Sequence, residues 1–147
     1  METNILSWLS NLHLRIRSIL DEMDVTQDRV PQRRLAQHLA QELHAHSEIE
    51  ENLLYPFVQT VSSEASQWVH QACLVHRSID GMLHELLTTD FSAERLHGFR
   101  DMVARCLEDE ERRIFPSLET LDDVSAGELG RRIDAYERDN LAAGPND

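Results

Sequence analysis

The chain has 147 residues, enough for one domain with a real core, and its 27 acids against 14 bases leave a net charge of −13. That balance disfavours nucleic acid and anionic membrane as partners, since both need a basic face. No apolar run reaches the 18 residues of a membrane span, and the start METNILSWLSNLHLRIR lacks the basic-then-apolar order of a secretion signal. The expected setting is therefore soluble and cytoplasmic. Two cysteines, Cys73 and Cys106, form no CxxC pair and suggest no disulfide framework.

The apolar pattern is helical almost throughout. A first helix is predicted over residues 4–23, with Ile5, Leu9, Leu12, Ile16, Ile19, Leu20 and Met23 at three/four spacing. Residues 24–31 are polar and read as a loop. A second helix begins near Pro31, which suits a first-turn position. Its stripe runs Leu35, Leu39, Leu43, His46, Glu50, Leu53 and Phe57, and Pro56 should kink the helix or end it soon after. A third helix starts near Ser63 or Ser66 and runs to Leu87, with Val69, Ala72, His76, Ile79, Leu83 and Leu86 on one face.

Residues 88–92 form a short connection, with Ser92 as N-cap of the next helix. The fourth helix carries Leu96, Phe99, Val103, Cys106, Glu110 and Ile114, and Pro116 stands where Pro56 stands in the second. One more helical stretch follows over about 125–138, and the end AAGPND reads as frayed. The expected fold is all-α: four amphipathic helices with short links make an antiparallel up-down-up-down four-helix bundle. The expected division is a bundle over 1–120 and a C-terminal helix with its tail over 121–147.

Within this pattern the chain repeats itself. The segment His46-Ser-Glu-Ile-Glu50-Glu51-Asn-Leu-Leu-Tyr55-Pro56 returns sixty residues later as Cys106-Leu-Glu-Asp-Glu110-Glu111-Arg-Arg-Ile-Phe115-Pro116. In each copy a potential ligand sits four residues before a glutamate, so both share one helix face, about 6 Å apart along the axis. His13 and His76, on the first and third helices, stand 63 residues apart and extend the repeat to two helix pairs.

These polar residues fall inside the apolar stripes. A single histidine there is more often a hydrogen-bonded core residue than a ligand. Six together are harder to explain so. Burying two unpaired carboxylates costs several kcal/mol each, and no Lys or Arg stands at matching height in the stripes. A metal centre held by His13, His46, Glu50, His76, Glu110 and Cys106 would supply the missing charge. Imidazole and carboxylate together suit iron or manganese, with zinc as an alternative. Two carboxylates shared between helices suit two ions, with outside ligands completing the shell.

The paired segments, with His13 and His76, resemble the hemerythrin-like (HHE cation-binding) family over about 105 residues. The resemblance implies a four-helix bundle around a non-haem di-iron centre, the ions joined by an oxo or hydroxo bridge. It places His13, His46, Glu50, His76 and Glu110 on ligand positions, with Glu50 and Glu110 bridging. Cys106 departs from the family pattern, which expects histidine; it could act as a softer thiolate ligand or leave one metal under-coordinated. Asp80, one turn after His76, stands where some members carry another histidine, yet reads slightly better as an exposed acid. His84 is a weaker candidate of the same kind. His38, His44, His70 and His97 fall off the inward faces, and Tyr55 and Phe115 read as packing residues.

The resemblance also implies binding or sensing of O₂, NO or iron, or a part in iron handling and oxidative stress. Any signalling is expected to use a separate partner, and a homodimer is an open alternative. No phosphate-binding loop or nucleophilic triad appears. Three other readings remain open: a small di-iron peroxidase or catalase-like enzyme, a bundle with a degenerate site acting by protein contact, and a thiol-based redox sensor at Cys106.

Overall fold

A computed structural model describes residues 4–89 and 91–143. All regular structure among them is helical, and it forms a helical bundle. Helix α1 spans Ile5–Val25, and Asn4 caps it by accepting a hydrogen bond from the Ser7 amide at 3.0 Å. Helix α2 spans Arg29–Ile49 and continues through a π turn, Glu50–Leu54, into the short α3, Tyr55–Val58. Helix α4 spans Ser63–Thr88, capped by Ser62. Helix α5 spans Ala93–Asp109, capped by Ser92, and continues through a second π turn, Glu110–Ile114, into α6, Phe115–Glu119. Helix α7 spans Asp123–Ala143.

Several boundaries depart from the sequence reading. The loop expected over 24–31 shrinks to 26–28. The cause is Gln32, which is buried and whose side-chain amide donates to the carbonyls of Thr26 at 3.3 Å and Met23 at 3.5 Å. It ties the first turn of α2 to the last turn of α1 and satisfies carbonyls that the helix end leaves open. The expected connection over 88–92 includes Asp90, which lies outside the described residues. Helix α7 is longer than expected and takes in Ala142 and Ala143, while the rest of the frayed end lies outside the described residues.

The two prolines act through the turns before them. Proline has no amide, and its ring crowds the carbonyl four residues back, here Asn52 for Pro56 and Arg112 for Pro116. Both helices answer by widening: the Tyr55 amide bonds to the Glu50 carbonyl, and the Phe115 amide to the Glu110 carbonyl, each five residues back. Helical structure then stops soon after each proline, as the sequence leads one to expect.

A π turn takes up about one extra residue, and this shifts the inward face. Leu53 and Phe57, expected inside, are only half-buried, and Leu54, Tyr55 and Val58 take their place. Leu35 and Ala72 are also half-buried.

Helix α1 packs along α2 and α4 along α5, and contacts of α2 with α4 and of α1 with α5 join the two pairs. The apolar side chains form two cores. One gathers Leu12, Ile16, Leu39, Leu43, Ile79, Phe99, Val103 and Leu107. The other gathers Ile5, Leu9, Ile49, Leu54, Tyr55, Val69, Ile114 and, from α7, Leu129 and Ile133. Successive residues pass from one core to the other where the polar side chains stand: His13 follows Leu12, His46 lies between Leu43 and Ile49, and His76 lies between Val69 and Ile79. Helix α7 is fastened further by Tyr136, which donates to Glu48 at 2.8 Å, and by a hydrogen bond from the Trp8 indole to Glu137. No helix of the described residues is long and apolar enough to cross a membrane.

Ile133 is fully buried, so Ile133→Ala should lower stability by about 2–5 kcal/mol in denaturant unfolding. A loss below about 0.5 kcal/mol, as for an exposed position, would show that α7 stands apart from the cooperative fold.

Candidate metal centre

The six residues singled out by the sequence come together in one layer between the two cores. All six are buried: His13, His46, Glu50, His76, Cys106 and Glu110. Helix α1 brings His13, α2 brings His46, and α4 brings His76. Cys106 ends its stripe on α5, and each buried glutamate opens a π turn.

Glu110 is the meeting point. Its Oε2 accepts from His46 Nε2 at 2.7 Å and from His13 Nε2 at 3.1 Å. Its Oε1 accepts from His76 Nε2 at 3.0 Å and from the Cys106 thiol at 3.4 Å. The Nε2 atoms of His13 and His46 lie only 3.2 Å apart. Glu50 Oε1 lies 2.9 Å from His46 Nε2 and 3.4 Å from His76 Nε2. Neither oxygen of Glu50 finds a properly directed hydrogen bond among the described residues, nor do the Tyr55 hydroxyl and His46 Nδ1.

Electrostatics follow from this crowding. Burial alone would raise the pKa of Glu110; the charge on His46 and the bonds from His13, His46 and His76 hold it well below the usual carboxylate range. Burial opposes charge on His46, but Glu110 and Glu50 push its pKa up to about 10. Burial opposes charge on His76 too, and Cys106, Glu110 and Glu50 overcome it, so its pKa is raised. The Cys106 thiol is pushed up to about 12, by burial first and then by Glu110. Protons thus hold this layer together when no other cation does.

A metal fits the donor set better than protons do. Two protonated Nε2 atoms 3.2 Å apart repel each other, and both oxygens of Glu50 stay without a directed hydrogen bond. Lone pairs converging on one ion would satisfy all of them. The ligand atoms fall into two groups, each within 4.8 Å: His13, His46, Glu50 and Glu110, and His76, Cys106 and Glu110. Glu110 belongs to both.

The second acid of each repeated segment holds a role that sequence reasoning missed. Glu111 Oε1 accepts from His13 Nδ1 at 3.1 Å, and Arg17 grips the same carboxylate with bonds of 2.8 and 3.0 Å. Arg17 draws the pKa of Glu111 down, against the rise that burial alone would bring. Holding the proton on Nδ1 lets His13 Nε2 turn a lone pair inward once a metal replaces its proton, the arrangement that orients metal-bound histidines. Glu51 faces His76 Nδ1 at 3.6 Å, beyond a direct hydrogen bond. The signal was present as the doubled Glu-Glu in both copies.

The remaining candidates separate cleanly. Asp80 and His84 are exposed, as are His38, His44, His70 and His97. Tyr55 is buried with its ring stacked 6.2 Å from that of His76, and the Phe115 ring stands 5.3 Å from His13. Cys73 and Cys106 are both free thiols.

The family model of the Hemerythrin HHE cation binding domain matches residues 4–118. That span takes in every residue of the layer, and the chain belongs to this family. Comparison with curated proteins finds no match, and comparison with solved structures finds none.

Two outcomes follow. Arg17→Ala frees Glu111 and should weaken metal binding by about 10–100-fold in competition with a chelator; unchanged affinity would remove Glu111 as an orienting group. The second concerns pH. The folded pKa of His46, about 10, lies above its unfolded value. Its protonation therefore stabilises the metal-free fold fully below about pH 6.5, and that stabilisation fades as pH rises toward the folded value. A metal must displace that proton, so affinity grows over the same window. The metal-induced rise in Tm should be larger near pH 9 than near pH 6, and the reverse order would contradict the assignment.

Proposed function

We propose that this hemerythrin-family chain holds two non-haem iron ions in the buried layer and binds or senses a small ligand such as O₂ or NO, or takes part in iron handling. One observation carries the reading: His13 Nε2, His46 Nε2 and Glu110 Oε2 lie within 3.2 Å of one another inside an apolar bundle. Protons serve such a cluster poorly and a cation serves it well. His13, His46, Glu50 and Glu110 would hold one ion. His76, Cys106 and Glu110 would hold the other, with Glu50 close to His76 as a second bridge.

Iron there would supply electron exchange and coordination positions for an outside ligand. The chain supplies the rest. Glu111 and Arg17 fix the ring of His13. Burial keeps water from competing at His13, His46 and Glu50, and the two cores hold the donors at fixed height. Manganese and zinc suit parts of the same donor set, and the Cys106 thiol favours softer ions. We take the course of the long helices as antiparallel, up-down-up-down, which links as short as residues 26–28 support. The same reading keeps the division into a bundle over 1–120 and a C-terminal helix beyond it, and a cytoplasmic setting.

Metal analysis of the purified protein, with an absorption spectrum, tests this. About two irons per chain are expected, as in other bundle-core carboxylate sites, with an iron-dependent band that His46→Ala abolishes. Folded protein that takes up no iron would overturn the reading. A thiolate band lost in Cys106→Ser would show Cys106 to be a ligand.

A further inference from the structure

The two donor groups are covered unequally. His13, His46 and Glu50 are closed off, with Phe115 against the His13 ring. On the other side, a cavity of about 320 Å³ lies between α4 and the rod of α5 and its π turn. Cys106 and Glu110 line it at the buried end, Trp68, Ala72, Val75 and Ile114 give it apolar walls, and exposed Gln71 and Arg113 stand at its outer edge. Liquid water takes about 30 Å³ per molecule, so the space exceeds what a diatomic needs.

Donor count points the same way. The first group offers four ligand atoms and the second three, counting Glu110 in both, and Glu50 stands nearer His46 than His76, so it serves the second group less closely. Three protein ligands leave a metal with a position for something from outside. The residue at the cavity floor is also the one that breaks the repeat. A thiol there occupies less space than the imidazole of His46 occupies in the first copy.

We propose that an outside ligand reaches this centre through the cavity, on the side of His76, Cys106 and Glu110, and that cysteine in place of the larger ring leaves that way open. The walls suit a small molecule of a few heavy atoms, uncharged or singly charged, with one atom free to bind a metal. This inference rests on the reading of the layer as a metal centre and names the side from which its ligand enters.

Ala72 is not one of the donors, so Ala72→Phe narrows the cavity and leaves all six in place; Val75→Phe serves from the same wall if the first variant fails to fold. Two measurements read the result. In metal-free Cys73→Ser protein, Cys106 is the remaining thiol, and its modification by methyl methanethiosulfonate at fixed pH follows access through the cavity. The narrowed variant should slow it by about tenfold or more, since entry then needs a local opening of the helix pair. In the iron-loaded protein, azide should bind more slowly by a similar factor, with iron content unchanged. An equal azide rate in the two proteins would overturn the proposal, and so would an equal rate of thiol modification. The thiol measurement needs no metal, so failure of iron uptake and failure of the route are read separately.

Discussion

A carboxylate buried among apolar helices must be met by positive charge, and the middle of this bundle is arranged around that demand at Glu110. Leaving a buried charge unmatched costs several kcal/mol even after relaxation. Three imidazoles and a thiol converge on its two oxygens. Each comes from a different rod or a different turn, so the four main rods are all tied to one residue. The two apolar cores on either side fix the height of the layer and close it to water above and below. The same exclusion that makes unpaired charge expensive makes a bound cation effective.

The backbone device behind this layer is the pair of π turns. Each is set by a proline that can neither donate a bond nor tolerate the carbonyl four residues back. Each begins at a buried glutamate, and the neighbouring acid then lies at the edge of the layer. From there Glu111 and Glu51 face the outer nitrogens of His13 and His76. The local sequence thus solves a strain problem and a positioning problem with the same turn, which accords with the frequent use of such turns at functional sites.

The repeat suggests two helix pairs, each supplying half of one metal cage. The structure shows halves that serve one another. Glu110 of the second half receives His13 and His46 of the first. Glu111 of the second orients His13 of the first, and Glu51 of the first faces His76 of the second. Helix α7 adds a strap outside the repeat, burying Leu129 and Ile133 and reaching back to Glu48 and Trp8.

Three/four spacing of Leu, Ile and Val is enough to place the long helices, and the capping serines follow from the same rules. A histidine or glutamate inside such a stripe is legible because a polar side chain there has no bland reason to recur in four helices. Serine or asparagine caps and the proline stops are likewise local events. The shift from Leu53 and Phe57 to Leu54 and Val58 was not legible, because periodicity assumes one pitch and the π turn changes it. The role of Gln32 was not legible either, because it depends on α1 presenting its last carbonyls to it. Nor was that of Arg17, whose partner Glu111 lies 94 residues away in the chain. The sequence by itself determined where the inward stripes run along the regular helices and of what chemical kind their side chains are, since both follow from local spacing. Only the tertiary structure decided which nitrogen meets which oxygen and from which side the layer is reached, because those depend on how separate rods pack and on the gaps they leave.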